Sequence, residues 1–194
     1  MPTWVWIVIA VMIVVAAIVL AAALAVGRRK RSQRLRERFG PEYERMVSEA
    51  DTPGAAEKEL LERERRHDDL DIVALPSAAR RRYAERWRGV QAAFVDDPTG
   101  ALVEADRLIT AVMRDRGYPV DDFDQRAQDI SVDHPTVVEN YRAAHAVQRS
   151  ASGSETEEQR QAFVHYRALF NELLEPPAHE TPTPIGESTQ EASA

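Results

Sequence analysis

The sequence predicts an all-α protein: an N-terminal transmembrane helix, a helical stem, then a compact bundle of four to five helices. Three observations lead there. Trp4 to Val26 is an apolar run of 23 residues without a charge, Asn, Gln, Gly or Pro. From Tyr83 to Leu174 the large apolar residues recur three and four places apart, the period of one helix face and not the alternation of a strand. Between these runs stand Gly40-Pro41, Thr52-Pro53, Pro76-Ser77 and Asp97-Pro98, pairs that stop one helix and start the next. The expected units are an anchor at 1–27, a basic collar and stem at 28–76, the bundle at 77–175 and a disordered acidic, Pro-rich tail at 176–194.

At about 1.5 Å per helical residue the apolar run reaches roughly 34 Å, more than the ~30 Å hydrocarbon layer. Trp4 and Trp6 are expected at one membrane interface, and Arg28, Arg29, Lys30 and Arg31 at the other. Only Met1, Pro2 and Thr3 precede the run, whereas residues 28–38 hold seven basic groups against the single acid Glu37. The positive-inside rule therefore places the N-terminus outside and the long C-terminal part in the cytoplasm. A cleaved secretory signal is the competing reading, since Ala23-Leu24-Ala25 resembles a cleavage site. It wants a basic segment before a short apolar region, and here the apolar region is long and the arginines follow it. The chain has no Cys, which rules out a lipoprotein anchor and disulfides.

The net charge of −7 hides an asymmetry. The collar carries +6, so residues 39–194 hold 18 basic and 31 acidic groups, a balance of −13. An acidic body repels nucleic acid, so no nucleic-acid partner is expected, while the collar suits an anionic lipid surface.

Taken in order, Arg28 to Phe39 continues the membrane helix, and Gly40-Pro41 interrupts it. Pro41 to Ala50 reads as a short helix. Ala55 to Leu70, rich in strong helix formers and alternating charges, reads as a solvated helix with a narrow seam at Leu60-Leu61, in an extended stem. Asp71 to Pro76 is too short to found a sheet, and Ser77 is the cap expected for the next helix. Tyr83, Trp87, Val90 and Phe94 then form one stripe, and Leu102, Ala105, Leu108, Ile109, Val112 and Met113 another, ended by Gly117 and Pro119. These two helices should pack as an antiparallel hairpin. A short helix over Val120 to Ile130, capped by Asp121 or Asp122, and one opened by Asp133 or His134 with Pro135 and running through Arg149, follow. After the SASGS turn, Ser154-x-x-Glu157 has the capping-box form for a last helix to Glu175.

Catalytic patterns are missing from this sequence. No G-x-S-x-G elbow, phosphate loop or dinucleotide glycine pattern occurs. A carboxylate di-metal bundle needs two Glu-x-x-His pairs, and only Glu64 to His67 fits. His134 and His145 share a helix face to within about 20° if both are helical. The acids around Phe123 lack the glycine and distal Glu of an EF-hand, and capping explains them. Arg80, Arg81, Arg82, Arg86 and Arg88 spread around their helix and are expected to pair with nearby acids.

The blocks LRERFGPEYERMV, YAERWRGVQAAFVDDPTGALVEADRLITAVMRDRGYPVDDFDQRAQDISVDHPTVVENYRAAH and HYRALFNELLE resemble those of a family of small bacterial proteins, common in high-GC genomes and usually labelled as membrane proteins. The resemblance covers about residues 35 to 175. It implies a shared helical domain behind an anchor in the bacterial plasma membrane, and it assigns no functional residue.

The leading expectation is a membrane-anchored cytoplasmic helical module that binds another protein, with the lipid bilayer as its second partner and no catalytic residue, cofactor or metal assigned. The second is a membrane-tethered enzyme or ion-binding domain using the Asp121 to His145 region. Its candidate residues are Arg116, Tyr118, Asp121, Asp122, Asp133, His134, His145 and His165. The third is a structural spacer at the membrane.

Overall fold

The structure is a computed structural model that describes residues 3–150 and 155–175. Among these residues it is all-α, with eight helices and no strand. They are α1 (Thr3–Phe39), α2 (Pro41–Glu49), α3 (Pro53–Asp68), α4 (Ser77–Ala93), α5 (Pro98–Arg116), α6 (Phe123–Asp133), α7 (Val138–Arg149) and α8 (Thr156–Leu174). The expected tail at 176–194 and turn residues 151–154 lie outside the described residues.

Helix α1 runs 37 residues through the collar without a break. Its apolar part is long and apolar enough to cross a membrane, with a mean hydropathy of 2.0 and none of that window buried against the rest of the chain. Signal sequences near an N-terminus have the same character. Trp4 and Trp6 are exposed. At Gly40 the backbone turns with φ 47, and Pro41 opens α2.

Two hydrophobic cores form. The larger lies among α4 to α8, the five helices of the bundle, around Leu102, Ile109, Met113, Ile130, Tyr141 and Leu169. The rings of Trp87 and Phe170 stack at 4.5 Å and those of Phe94 and Phe163 meet at 4.7 Å, so α8 runs antiparallel to α4. The smaller core gathers Leu35 and Phe39 from α1, Tyr43 and Met46 from α2, Ala56 and Leu60 from α3, and Val132 from α6. Burying Leu35 and Phe39 completely stabilises this corner by roughly 2 kcal/mol each. The stem is therefore not an extended spacer. It folds back on the bundle through the apolar face that Leu60 shares with the end of α1.

Helix ends also differ from the sequence reading. Pro76, not Ser77, precedes α4, and no side chain caps it. Asp122 caps α6, which starts at Phe123 because the Asp122 carboxylate accepts the Gln125 N–H. Asp133 is the last residue of α6, and α7 begins only at Val138 after a turn in which the Val137 N–H reaches the His134 carbonyl. At α8 the cap residue is Glu155 and Glu157 pairs with Arg160, while Ser154 of the expected capping box lies outside the described residues. Gly117 ends α5 at φ 97, and a Cβ there would lie 2.4 Å from the Asp71 carbonyl oxygen. The same crossing brings the Val73 N–H to the Arg116 carbonyl, which ties the stem-to-bundle linker down.

Candidate functional site

The polar residues that the fold draws together sit where the stem meets the bundle. Glu42, in the first turn of α2, is completely buried. Its Oε1 accepts hydrogen bonds from Arg45 (2.7 Å), from Arg63 of α3 (2.8 Å) and from Arg142 of α7 (3.0 Å). Oε2 accepts from Arg45 Nε at 3.0 Å and from Arg142 at 2.7 Å. Burial alone would push this carboxyl up, but the guanidinium hydrogen bonds and charges of Arg45 and Arg142 reverse that and hold it down at about 2. Three helices thus share one carboxylate, and it stays ionised at any ordinary pH.

A second cluster also draws on α3 but joins it to α6 and to the segment after α5. Asp133 Oδ2 accepts the Tyr118 hydroxyl at 2.6 Å and contacts His67 Nε2 of α3 at 2.8 Å. Burial raises the Asp133 carboxyl, and the hydrogen bonds from His67 and Tyr118 outweigh it, so its pKa is lowered. Burial and the Asp133 charge both drive the Tyr118 phenol up, which keeps it a neutral donor. Arg116 is buried, with its guanidinium 5.7 Å from the Tyr118 ring centre and one NH donating to the Leu173 carbonyl at 3.0 Å. His134 Nδ1 contacts Glu172 at 3.2 Å; burial lowers the pKa of this imidazole, opposed by Asp133 and Glu172.

The remaining sequence candidates lie apart from this cluster. Asp121 is exposed in the turn before α6, and Asp122 is its cap. His145 stacks on Phe123 at 3.5 Å, and burial lowers its pKa. His165 lines a groove between α7 and α8 with Ala143, Glu157 and Gln161. Arg116, Tyr118, Asp133 and His134 are brought into one region, while His145 and His165 have other neighbours. Among the described residues no group of three His, Cys, Asp or Glu is placed to hold a metal ion.

Sequence reasoning missed Glu42, Arg63 and Arg142, because their meeting depends on chain segments far apart. His67 stood out only for the acid three places before it, yet its partner is Asp133. The α4 arginines depart from expectation in the other direction. Arg80, Arg81, Arg82, Arg86 and Arg88 form no ion pair among the described residues, and Arg82 and Arg86 lean over the Tyr83 ring at 5.7 and 5.9 Å. The collar is divided. Arg34 and Arg38 pair with Glu64 and Arg36 with Glu44, whereas Arg28, Arg29, Lys30 and Arg31 pair with no acid among the described residues.

No family model, curated protein or solved structure matches this chain.

Proposed function

We propose that the chain is a single-pass protein of the bacterial plasma membrane, N-terminus outside, whose cytoplasmic helical body is an interaction module for another protein. One observation carries this reading: the end of α1 is built into the body, since Leu35 and Phe39 are wholly buried in a core shared with α2, α3 and Val132 of α6. A helix able to cross a bilayer is thereby fastened to the bundle, not hung from it by a linker. About nine residues separate Val26 from Leu35, or roughly 14 Å along a helix, which keeps the body close to the headgroups. The charge division supports the same side. The basic residues next to the apolar run stay open to anionic lipid, and those further out are neutralised by stem acids.

A labelling enzyme fused to the C-terminus in living cells tests the reading. Cytoplasmic proteins should be marked, with one recurrent neighbour that disappears when residues 77–175 are deleted. Marking of proteins outside the membrane, or an unchanged set of neighbours from the anchor alone, would contradict it.

A further inference from the structure

Helix α4 is cationic in an acidic body. Arg80, Arg81, Arg82, Arg86 and Arg88 stand against Glu85 alone, a net of +4, while residues 39–194 as a whole carry −13. None of the five pairs with a carboxylate among the described residues, Glu85 included, and Arg81, Arg82, Arg86 and Arg88 are exposed. Arg81, Glu85, Arg88 and Ala92 follow at spacings of four, three and four and are all exposed, so they form the outer row of the helix. The arginines also stand away from the apolar run of α1. Helix α3 runs parallel to the end of α1, with Glu57 against Ser32 and Glu64 against Arg38, and its far end at His67 is what meets Asp133. Asp133 holds Tyr118, and two residues before Gly117 the Asp115 carboxylate accepts the Tyr83 hydroxyl at 2.7 Å.

The end of α8 is delivered to this surface. Trp87 stacks on Phe170 and Phe94 meets Phe163, seven residues on along each helix and in opposite senses, so Leu174 and Glu175 lie level with Tyr83 and Arg82. The α5 end confirms the register: Asp115 bonds Tyr83, and the adjacent Arg116 donates to the Leu173 carbonyl at 3.0 Å. Beyond Glu175, residues 176–194 hold Glu180, Glu187 and Glu191 and neither Lys nor Arg. Glu187 is 12 residues past Glu175, a reach of up to about 40 Å, against roughly 25 Å for the 17 residues of α4. We propose that residues 176–194 turn back over α4 and set their glutamates against its arginines, covering the cationic face from within the same chain. Because the segment is tied at Glu175 the contact is intramolecular, and exposed ion pairs too weak to hold a separate peptide suffice. The contact holds on whichever side of the membrane the body lies and whatever protein it binds.

The chain has no cysteine, so introduced thiols report unambiguously. Full-length protein carrying Ala92→Cys and Ser188→Cys, dilute in neutral phosphatidylcholine vesicles and treated with a short bifunctional maleimide, should give a cross-link within one chain. Ser48→Cys, on the exposed side of α2, paired with Ser188→Cys measures what the tether alone allows and should give far less. Glu180→Gln, Glu187→Gln and Glu191→Gln together should reduce the Ala92→Cys yield by roughly tenfold with an unchanged helical signal, and high salt should do the same, while the Ser48→Cys yield stays as it was. A yield indifferent to the three Gln substitutions, cross-links only between chains, or an Ala92→Cys thiol shielded only in phosphatidylglycerol vesicles, the mark of a face covered by lipid, would overturn the proposal.

Discussion

Glu42 and Arg142 stand 100 residues apart in the sequence and are joined by two hydrogen bonds of 2.7 and 3.0 Å. That pair, with Arg45 and Arg63 on the same carboxylate, is what makes the stem and the bundle one body.

Glu42→Gln removes the charge and leaves three guanidiniums crowded without it. Breaking one side of a buried ionic group destabilises far more than replacing the whole group, so a loss of about 3 kcal/mol in urea-melt stability is expected. The pH dependence has a definite sign. The folded pKa of about 2 lies below the ordinary 4.5, so this stabilisation is present above that ordinary value and fades as pH falls through it towards 2. Wild type should lose stability more steeply than Glu42→Gln over that interval.

The Asp133 cluster should behave as a coupled unit. Tyr118→Phe deletes the donor at 2.6 Å and should reduce stability by about 1 kcal/mol. In a double-mutant cycle, His67→Gln and Asp133→Asn should be non-additive, because each removes the other's partner. Because the Asp133 pKa is lowered, its contribution should also be lost on acidification below the usual carboxylate range.

Two glycines with positive φ should respond differently to alanine. At Gly117 a Cβ collides with the Asp71 carbonyl oxygen, so Gly117→Ala should destabilise by roughly 3 kcal/mol and speed hydrogen exchange at Val73 and Tyr118. At Gly40 nothing stands within 4 Å, but φ 47 with ψ −121 lies outside the left-handed helical region, so alanine there is opposed by backbone strain alone, about 2 kcal/mol.

Phe39→Ala should empty the centre of the stem core and cost about 3 kcal/mol. Val95→Ser, at an 82% exposed position, should change stability by less than about 0.5 kcal/mol.

Much of the fold was legible from residues alone because helix punctuation is local. Gly40-Pro41, Thr52-Pro53 and Asp97-Pro98 mark real boundaries, and the Tyr83, Trp87, Val90, Phe94 stripe does face the core. The second core was not legible. Leu60 looks like a narrow seam on a charged helix, and only the meeting of α1, α3 and α6 shows that it is completely buried. Nor does the segment PEYER announce a buried Glu42, since two of its three arginines come from α3 and α7. The α4 arginines were expected to find acids among many nearby, but they form no ion pair among the described residues, and Arg82 and Arg86 lie over the Tyr83 ring instead.

The account depends on a retained anchor with the body fastened to its cytoplasmic end, and single-cysteine labelling measures both at once. Val95→Cys in intact cells, challenged with a membrane-impermeant maleimide, should stay unmodified until the membrane is opened, and should then react on a full-length, membrane-bound chain. Modification in intact cells, or a chain released outside and shortened by its apolar stretch, would contradict it.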